Sequence, residues 1–210
     1  MKERPLVLCL TNTVAANFTA NCLIAIGAKP AMVEEPSEAE ELARVADAVL
    51  VNLGTVTELQ AKAMRAAVKV ANERGIPWVL DPVGVQFLAY RRSLARELIA
   101  LKPSLIRGNR AEIDSLGPMG IVMLATGETD TIGRLTISGG VPMLQAVTAT
   151  GCAQGGICAA LLGRGLSPQD AALSASKLMK RAGELAWERA KAPGSFQVAL
   201  IDALWELSHD

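Results

Sequence analysis

The chain has 210 residues, half of them apolar, and its 21 basic residues balance 21 acidic ones to a formal net charge of zero. That length suits a single domain burying roughly 70% of its unfolded surface. No apolar run reaches the ~20 residues of a membrane span, aromatics at 3% and balanced charge argue against a nucleic-acid interface, and His209 alone cannot build a His-based triad or zinc site.

The segment Met1 to Pro5 enters the first strand-like run without the apolar stretch and cleavage site of a signal peptide, and Cys9, Cys22, Cys152 and Cys158 lack CxxC spacing. A cytoplasmic location and a small-molecule partner are expected, with no nucleic acid and no membrane. In chain order, Leu6 to Leu10, Ala48 to Val51, Pro77 to Leu80, Ser104 to Ile106 and Ile121 to Ala125 read as strands buried on both faces, with Ala31 to Val33 a further short one. Between them, Ser37 to Glu40 and Thr57 to Gln60 have the capping-box pattern that opens a helix, and Gly75 closes the second of these. Strands alternating with helices predict an α/β fold with a mostly parallel sheet. Beyond Ala125, Gly133 to Gly139 and Val141 to Val147 alternate like a hairpin or antiparallel edge. Three helices close the chain: Thr150 to Leu162, one capped at Ser167-Pro168, and one opened at Pro193-Gly194.

In open parallel sheets, ligands bind beyond the carboxyl ends of the strands. Here those positions are polar: Thr11 and Asn12, Asn52 and Gly54, Asp81, Arg107 to Asn109, and Thr126 to Glu128. Any one cluster alone reads as a turn or cap; their recurrence at successive strand ends points to a ligand rim. Thr148 to Ala153 opens a helix of small residues, so its backbone N–H groups can form an anion site, with Gly151 allowing close approach. An ordinary capped helix is the alternative. Phosphoryl transfer needs donors for the migrating charge, a cation for the phosphates and a group near the acceptor hydroxyl. The anion site, Arg107, and Asp81 or Glu112 as a magnesium-binding carboxylate meet those needs. Cys152 at the helix N-terminus is a candidate proton acceptor, because the helix dipole lowers a thiol pKa. The plainer reading is a buried cysteine, as expected for Cys158.

Several motifs follow one another in a shared order: Thr11-Asn12 with Val14 to Asn21, Gly27 to Met32, Asn52 to Thr55, and Leu80 to Gly84. They continue through Ile106 to Asn109 with Glu112, Thr126 to Glu128, Thr150 to Ala153 and Pro193 to Phe196. In these the chain resembles the hydroxyethylthiazole kinase family over nearly its whole length. The resemblance implies a ribokinase-like three-layer α/β/α fold and ATP- and Mg²⁺-dependent phosphorylation of the hydroxyl of hydroxyethylthiazole in thiamine salvage. It also implies a homotrimer with active sites at subunit interfaces. Carried over position by position, it gives Cys152 and Gly151 catalytic places, Met32, Ala149 and Asn12 the substrate, Arg107, Thr126 and Asn109 the ATP, and Asp81 and Glu112 the metal. Three departures stand out: Ala149 replaces a glycine, Leu8 replaces a histidine, and the crossover at about residues 109–121 lacks a helix. Lost cover over the nucleotide side predicts weaker ATP binding. Two readings compete with the kinase: a weakened homologue that binds a thiazole or thiamine-related ligand, and a kinase for another small alcohol.

Overall fold

The computed structural model describes residues 3–209; the start of the Met1 to Pro5 lead-in lies outside them. Its strands are β1 (Leu6–Leu10), β2 (Lys29–Met32), β3 (Ala48–Asn52), β4 (Trp78–Asp81), β5 (Leu105–Asn109), β6 (Val122–Thr126), β7 (Asp130–Ile132) and β8 (Leu135–Ile137). They form one 8-stranded sheet in the order β2-β1-β3-β4-β5-β6-β7-β8. Neighbours from β2 through β6 pair in parallel, and β7 and β8 add an antiparallel hairpin. The helices are α1 (Ala16–Ala25), α2 (Pro36–Ala43), α3 (Glu58–Arg74), α4 (Ala89–Ala100), α5 (Arg110–Leu116), α6 (Met143–Ala146), α7 (Thr150–Gly163), α8 (Pro168–Arg189) and α9 (Pro193–His209).

The two-residue alternation of the strands divides the apolar side chains between two cores. Val7, Cys9, Leu50, Val79 and Leu105 pack beneath α1, α7, α8 and α9. Leu8, Val49, Val51, Trp78, Leu80 and Ile106 pack beneath α2, α3 and α4. The result is the expected three-layer α/β/α sandwich. Leu8, where the resemblance leads one to expect histidine, is fully buried in the second core, so that departure is a matter of packing. Among the described residues, no helix is long and apolar enough to cross a membrane.

Local details depart from the sequence pattern for identifiable reasons. The strands run further than their apolar cores: β3 takes in Asn52, β4 takes in Asp81, and β5 runs through Arg107 to Asn109. The ladder continues because backbone pairing is indifferent to side-chain polarity, matching Asn52 with Asp81 and Asn109 with Thr126. β2 begins earlier than Ala31, at Lys29, which pairs with Leu6. The Ser37 capping box does not form: α2 begins at Pro36, with Glu35 as an N-cap that makes no side-chain cap bond. Proline suits the first helical turn and fixes the start two residues too early for Ser37 to cap. The Thr57 box does form, with both reciprocal bonds, and Gly75 ends α3 in the left-handed region at φ 67°.

The antiparallel hairpin lies earlier than the alternation suggested, turning at Gly133. Val141 to Val147 is not an edge strand but contains α6, led by Pro142, which has no N–H to pair in a ladder. Thr150 Oγ1 holds this turn by donating to the carbonyls of Leu144 (2.6 Å) and Val147 (3.2 Å). The crossover from β5 to β6 retains a helix, the 7-residue α5. Asn109 and Glu112 form a reciprocal capping box at its start.

Replacing Thr57 with Ala should cost about 1 kcal/mol of stability by orphaning the Gln60 N–H. Urea unfolding checks this as a lower midpoint with an unchanged slope.

Candidate active site

A cavity of about 510 Å³ opens where the ends of β5 and β6 face the start of α7. Arg107, Asn109 and Glu112 line it on one side, Thr126 and Gly127 on another, and Ala149 to Cys152 on the third. A neighbouring cavity of about 650 Å³ lies against the Ser138 to Pro142 loop and shares Gly127, Leu144, Gln145 and Lys180 with the first.

The sheet supplies a row of buried polar groups from adjacent strand ends. Asn12, after β1, donates from Nδ2 to Asn52 Oδ1 (2.9 Å), and Asn52 Nδ2 donates to Asp81 Oδ2 (2.7 Å). Arg107 Nη1 lies 3.7 Å from the same Asp81 oxygen. Arg107 Nη2 donates to Thr126 Oγ1 (2.7 Å), which itself donates to the Gly108 carbonyl (3.2 Å). Thus the ends of β3, β4, β5 and β6, with Asn12 just beyond β1, are joined side chain to side chain across the rim.

α7 presses against this row because its first turns carry almost no side-chain bulk. A Cβ at Gly151 would stand 2.6 Å from both terminal nitrogens of Arg107, and one at Gly155 would stand 3.4 Å from Asp81 Oδ2. Gly151 is therefore required for the guanidinium to lie across the helix N-terminus. Cys152 follows, its Sγ accepting from Asn12 Nδ2 at 3.4 Å. Asn12, expected on the substrate, also accepts from Ala15 N–H (2.9 Å) at Oδ1, while its Nδ2 serves to hold Asn52 and Cys152.

Two ionisations are displaced. Burial raises Asp81 to about 7, with Arg107 pulling it down, Glu112 pushing it up and the Asn52 hydrogen bond opposing the rise. Cys152 is pushed up to about 11, first by burial and then by the Asp81 carboxylate, against the smaller pull of Arg107. The expected lowering by the helix dipole is therefore overridden, and burial favours the thiol over the thiolate at neutral pH. Cys158 is fully buried, as expected, and burial raises it to about 12.

Asp81 Oδ1 is buried without a hydrogen-bond partner. Glu112 accepts the N–H of Gly84 at one oxygen (2.9 Å) and of Asn109 at the other (2.8 Å), and each oxygen keeps a further lone pair. Among the described residues, no three His, Cys, Asp or Glu side chains gather into a metal cage. Mg²⁺ does not need one, since it takes one or two carboxylates and completes its shell with water and phosphate oxygens. Glu112 faces the cavity with lone pairs of that kind to offer, whereas Asp81, with its unpartnered Oδ1, is fully buried and does not line the cavity.

Met32 lies apart. It ends the edge strand β2, with β1 and β3 between it and β4, is 37% exposed and does not line the cavity. Ala149 does line it, as the N-cap of α7, at φ 70° and ψ −6°. Asn52, a strand-end residue given no role from sequence, bridges Asn12 to Asp81; among residues not singled out from sequence, Gln154, Asp130 and Lys180 form a buried group behind Arg107. The available signal for Gln154 was its polarity in a helix otherwise built of small or apolar residues around it.

A parallel sheet with two helical layers, and an arginine, carboxylates and a glycine-led helix at its carboxyl rim, defines a ribokinase-like fold furnished for phosphoryl transfer. At the level of fold, the chain superposes on a ribokinase-like superfamily protein from Enterococcus faecalis with TM-score 0.58 and 15% identity, covering 98% of this chain and 88% of that one. The family model of the hydroxyethylthiazole kinase family matches residues 1–121 and 117–210. A hydroxyethylthiazole kinase from Escherichia coli K12 is 40% identical over 240 aligned positions, covering 100% of this chain and 92% of the relative. The structure of a hydroxyethylthiazole kinase from Pyrococcus horikoshii OT3 superposes with TM-score 0.92 at 36% identity, covering 97% of this chain and 88% of that one. The chain belongs to the hydroxyethylthiazole kinase family.

Because the Asp81 pKa is raised on folding, the folded protein binds a proton more tightly than the unfolded chain between about pH 4 and pH 7. Stability from this group is full below that window and is lost as pH rises through about 7. Asp81→Asn should therefore raise the thermal midpoint more at pH 8 than at pH 5, as differential scanning fluorimetry would show. Ala149→Gly removes a left-handed alanine and should stabilise the chain by about 1 kcal/mol in urea unfolding.

Proposed function

We propose that the chain transfers the γ-phosphoryl group of ATP to the hydroxyl of hydroxyethylthiazole, acting with Mg²⁺ in thiamine salvage. The observation that carries this reading is the buried Arg107 guanidinium lying across the start of α7, between Asp81 and Thr126 and against Gly151. It places a fixed positive charge where a migrating phosphoryl group meets a helix N-terminus. Family membership supplies the acceptor. Thr126 and Asn109 bear on the nucleotide from the ends of β6 and β5. Glu112 would hold Mg²⁺, which when bound neutralises phosphate charge.

In the reaction, the thiazole hydroxyl oxygen forms a bond to the γ-phosphorus as the bond to the β,γ-bridging oxygen breaks, and ADP leaves. Cys152 and Ala149 border the hydroxyl, and the thiolate form of Cys152 takes its proton late, as a loose transition state permits. With the thiol near 11, that form is a small fraction at neutral pH and grows tenfold per pH unit.

A single domain, with the β5-to-β6 crossover shortened, is supported by the family match, which runs in two stretches meeting at residues 117–121. A homotrimer with shared sites is supported by Met32, whose distance from the cavity within one chain would be made good by a neighbouring copy. Four free cysteines suit a reducing, cytoplasmic location.

ATP- and Mg²⁺-dependent phosphorylation of hydroxyethylthiazole by the purified protein tests the reading. Turnover should fall at least ~100-fold in Arg107→Ala, as for removal of one transition-state donor; thiazole binding without turnover would instead identify a binding homologue. If Cys152 takes the proton, log kcat of the parent rises with pH from 6 to 9, and Cys152→Asp flattens that slope while keeping turnover. A flat profile in the parent protein removes the thiol from this role.

A further inference from the structure

Gln154 sits one turn into α7, only 4% exposed, in a helix whose neighbouring residues are Gly, Ala, Cys and Ile. Its Oε1 accepts from Arg107 Nη2 at 3.4 Å, and its Nε2 donates to Asp130 Oδ2 at 3.5 Å. A guanidinium only donates and a carboxylate only accepts. Of the two orientations of the carboxamide, one satisfies both neighbours; the other sets N–H against N–H and oxygen against carboxylate.

Asp130 is itself fixed. Its Oδ1 accepts the Gly127 N–H (3.0 Å), its Oδ2 accepts Ser176 Oγ–H (2.7 Å), and Lys180 Nζ lies 3.4 Å from Oδ1. Lys180 donates at 3.0 Å to each of the carbonyls of Glu128 and Gly139. A buried anion with this many donors cannot turn away, so it sets the direction of the amide in front of it.

We propose that Gln154 is a positioning residue for Arg107: Asp130 locks its carboxamide so that the oxygen holds the guanidinium over Gly151, facing the cavity. Arg107 has two other holds, Thr126 on the sheet side and Asp81 beneath, while its Nε has no partner. Gln154 is its hydrogen-bond acceptor on α7. Without that acceptor the planar group can pivot about the Thr126 bond toward the Asp81 carboxylate and away from the helix N-terminus. The proposal rests on the reading that Arg107 serves the phosphoryl group.

The experiment is a cycle of Gln154→Leu, Arg107→Ala and the double variant, with Gln154→Met as a second, unbranched replacement. kcat, the KM of ATP and the KM of the thiazole are measured by phosphorylation, and the Kd of ATP by titration calorimetry. Gln154→Leu and Gln154→Met should each lower kcat/KM for ATP about tenfold and leave the thiazole KM unchanged. In the Arg107→Ala background, Gln154→Leu should produce no further loss of ATP affinity, because groups that act through one another are not additive. The Arg107 Nε–H resonance, assigned by its loss in Arg107→Ala, should shift and broaden in Gln154→Leu even without nucleotide. Unchanged ATP kinetics in both Gln154 variants, or equal losses in the two backgrounds, would overturn the positioning role while leaving the role of Arg107 intact. Parent-like kinetics in Arg107→Ala would overturn the role of Arg107 and the proposal together.

Discussion

The rim of this sheet is organised around one costly juxtaposition, a carboxylate and a guanidinium taken almost wholly out of water at Asp81 and Arg107. Their nitrogen and oxygen stand 3.7 Å apart, longer than a good hydrogen bond. At an effective dielectric constant of about 20 the attraction is roughly 4 kcal/mol, similar to the several kcal/mol lost in burying each ion. Attraction alone therefore falls short of the cost of burying both ions, and the rise of Asp81 to about 7 records that burial outweighs it. What the arrangement provides is placement: a planar guanidinium, rich in donors, is held beside the helix start.

The fold meets the cost of holding that charge in the backbone. Parallel pairing brings the ends of β3, β4, β5 and β6 level, and each contributes one polar side chain to the same row. From the other side, α7 can approach because Gly151 and Gly155 present no Cβ to Arg107 and Asp81. Small residues that look like weak core packing are thus the condition for close contact between helix and ionised side chains. The amides of Asn12 and Asn52 connect Cys152 to Asp81, so the position of the thiol and that of the carboxylate are not independent.

What the residues disclosed before the structure follows the range of the forces involved. Leu6 to Leu10 and the Thr57 box depend on local periodicity and on bonds three residues apart, and both are legible. Ser37 has the same local pattern, yet Pro36 starts the helix first. Val141 to Val147 alternates like a strand, but α6 forms there, tied by Thr150 from the following helix. The thiol of Cys152 was misread because a helix dipole can be inferred from sequence, whereas burial and the field of Asp81 arise only when distant strands meet. Arg107, Thr126 and Asp81 were visible as strand ends; Gln154 and Asp130 act through each other across 24 residues and left only a polarity out of place.

The short crossover and Ala149 bear on activity in different ways. Asn109 and Glu112, the crossover residues with roles at the rim, lie at the cap and first turn of α5, where their reciprocal bonds need only one turn of helix. Chain removed beyond Gly117, which ends α5 with φ 75°, would take away cover and leave these donors and acceptors in place. Ala149 is part of the site itself. Its left-handed backbone is what turns the chain into α7, and an alanine there accepts the strain that glycine would avoid, with a methyl group at the cavity wall. Shortening changes how much of a ligand is enclosed; Ala149 changes the shape of the cavity wall, and on the proposed reading that bears on which alcohol fits rather than on whether phosphate is held.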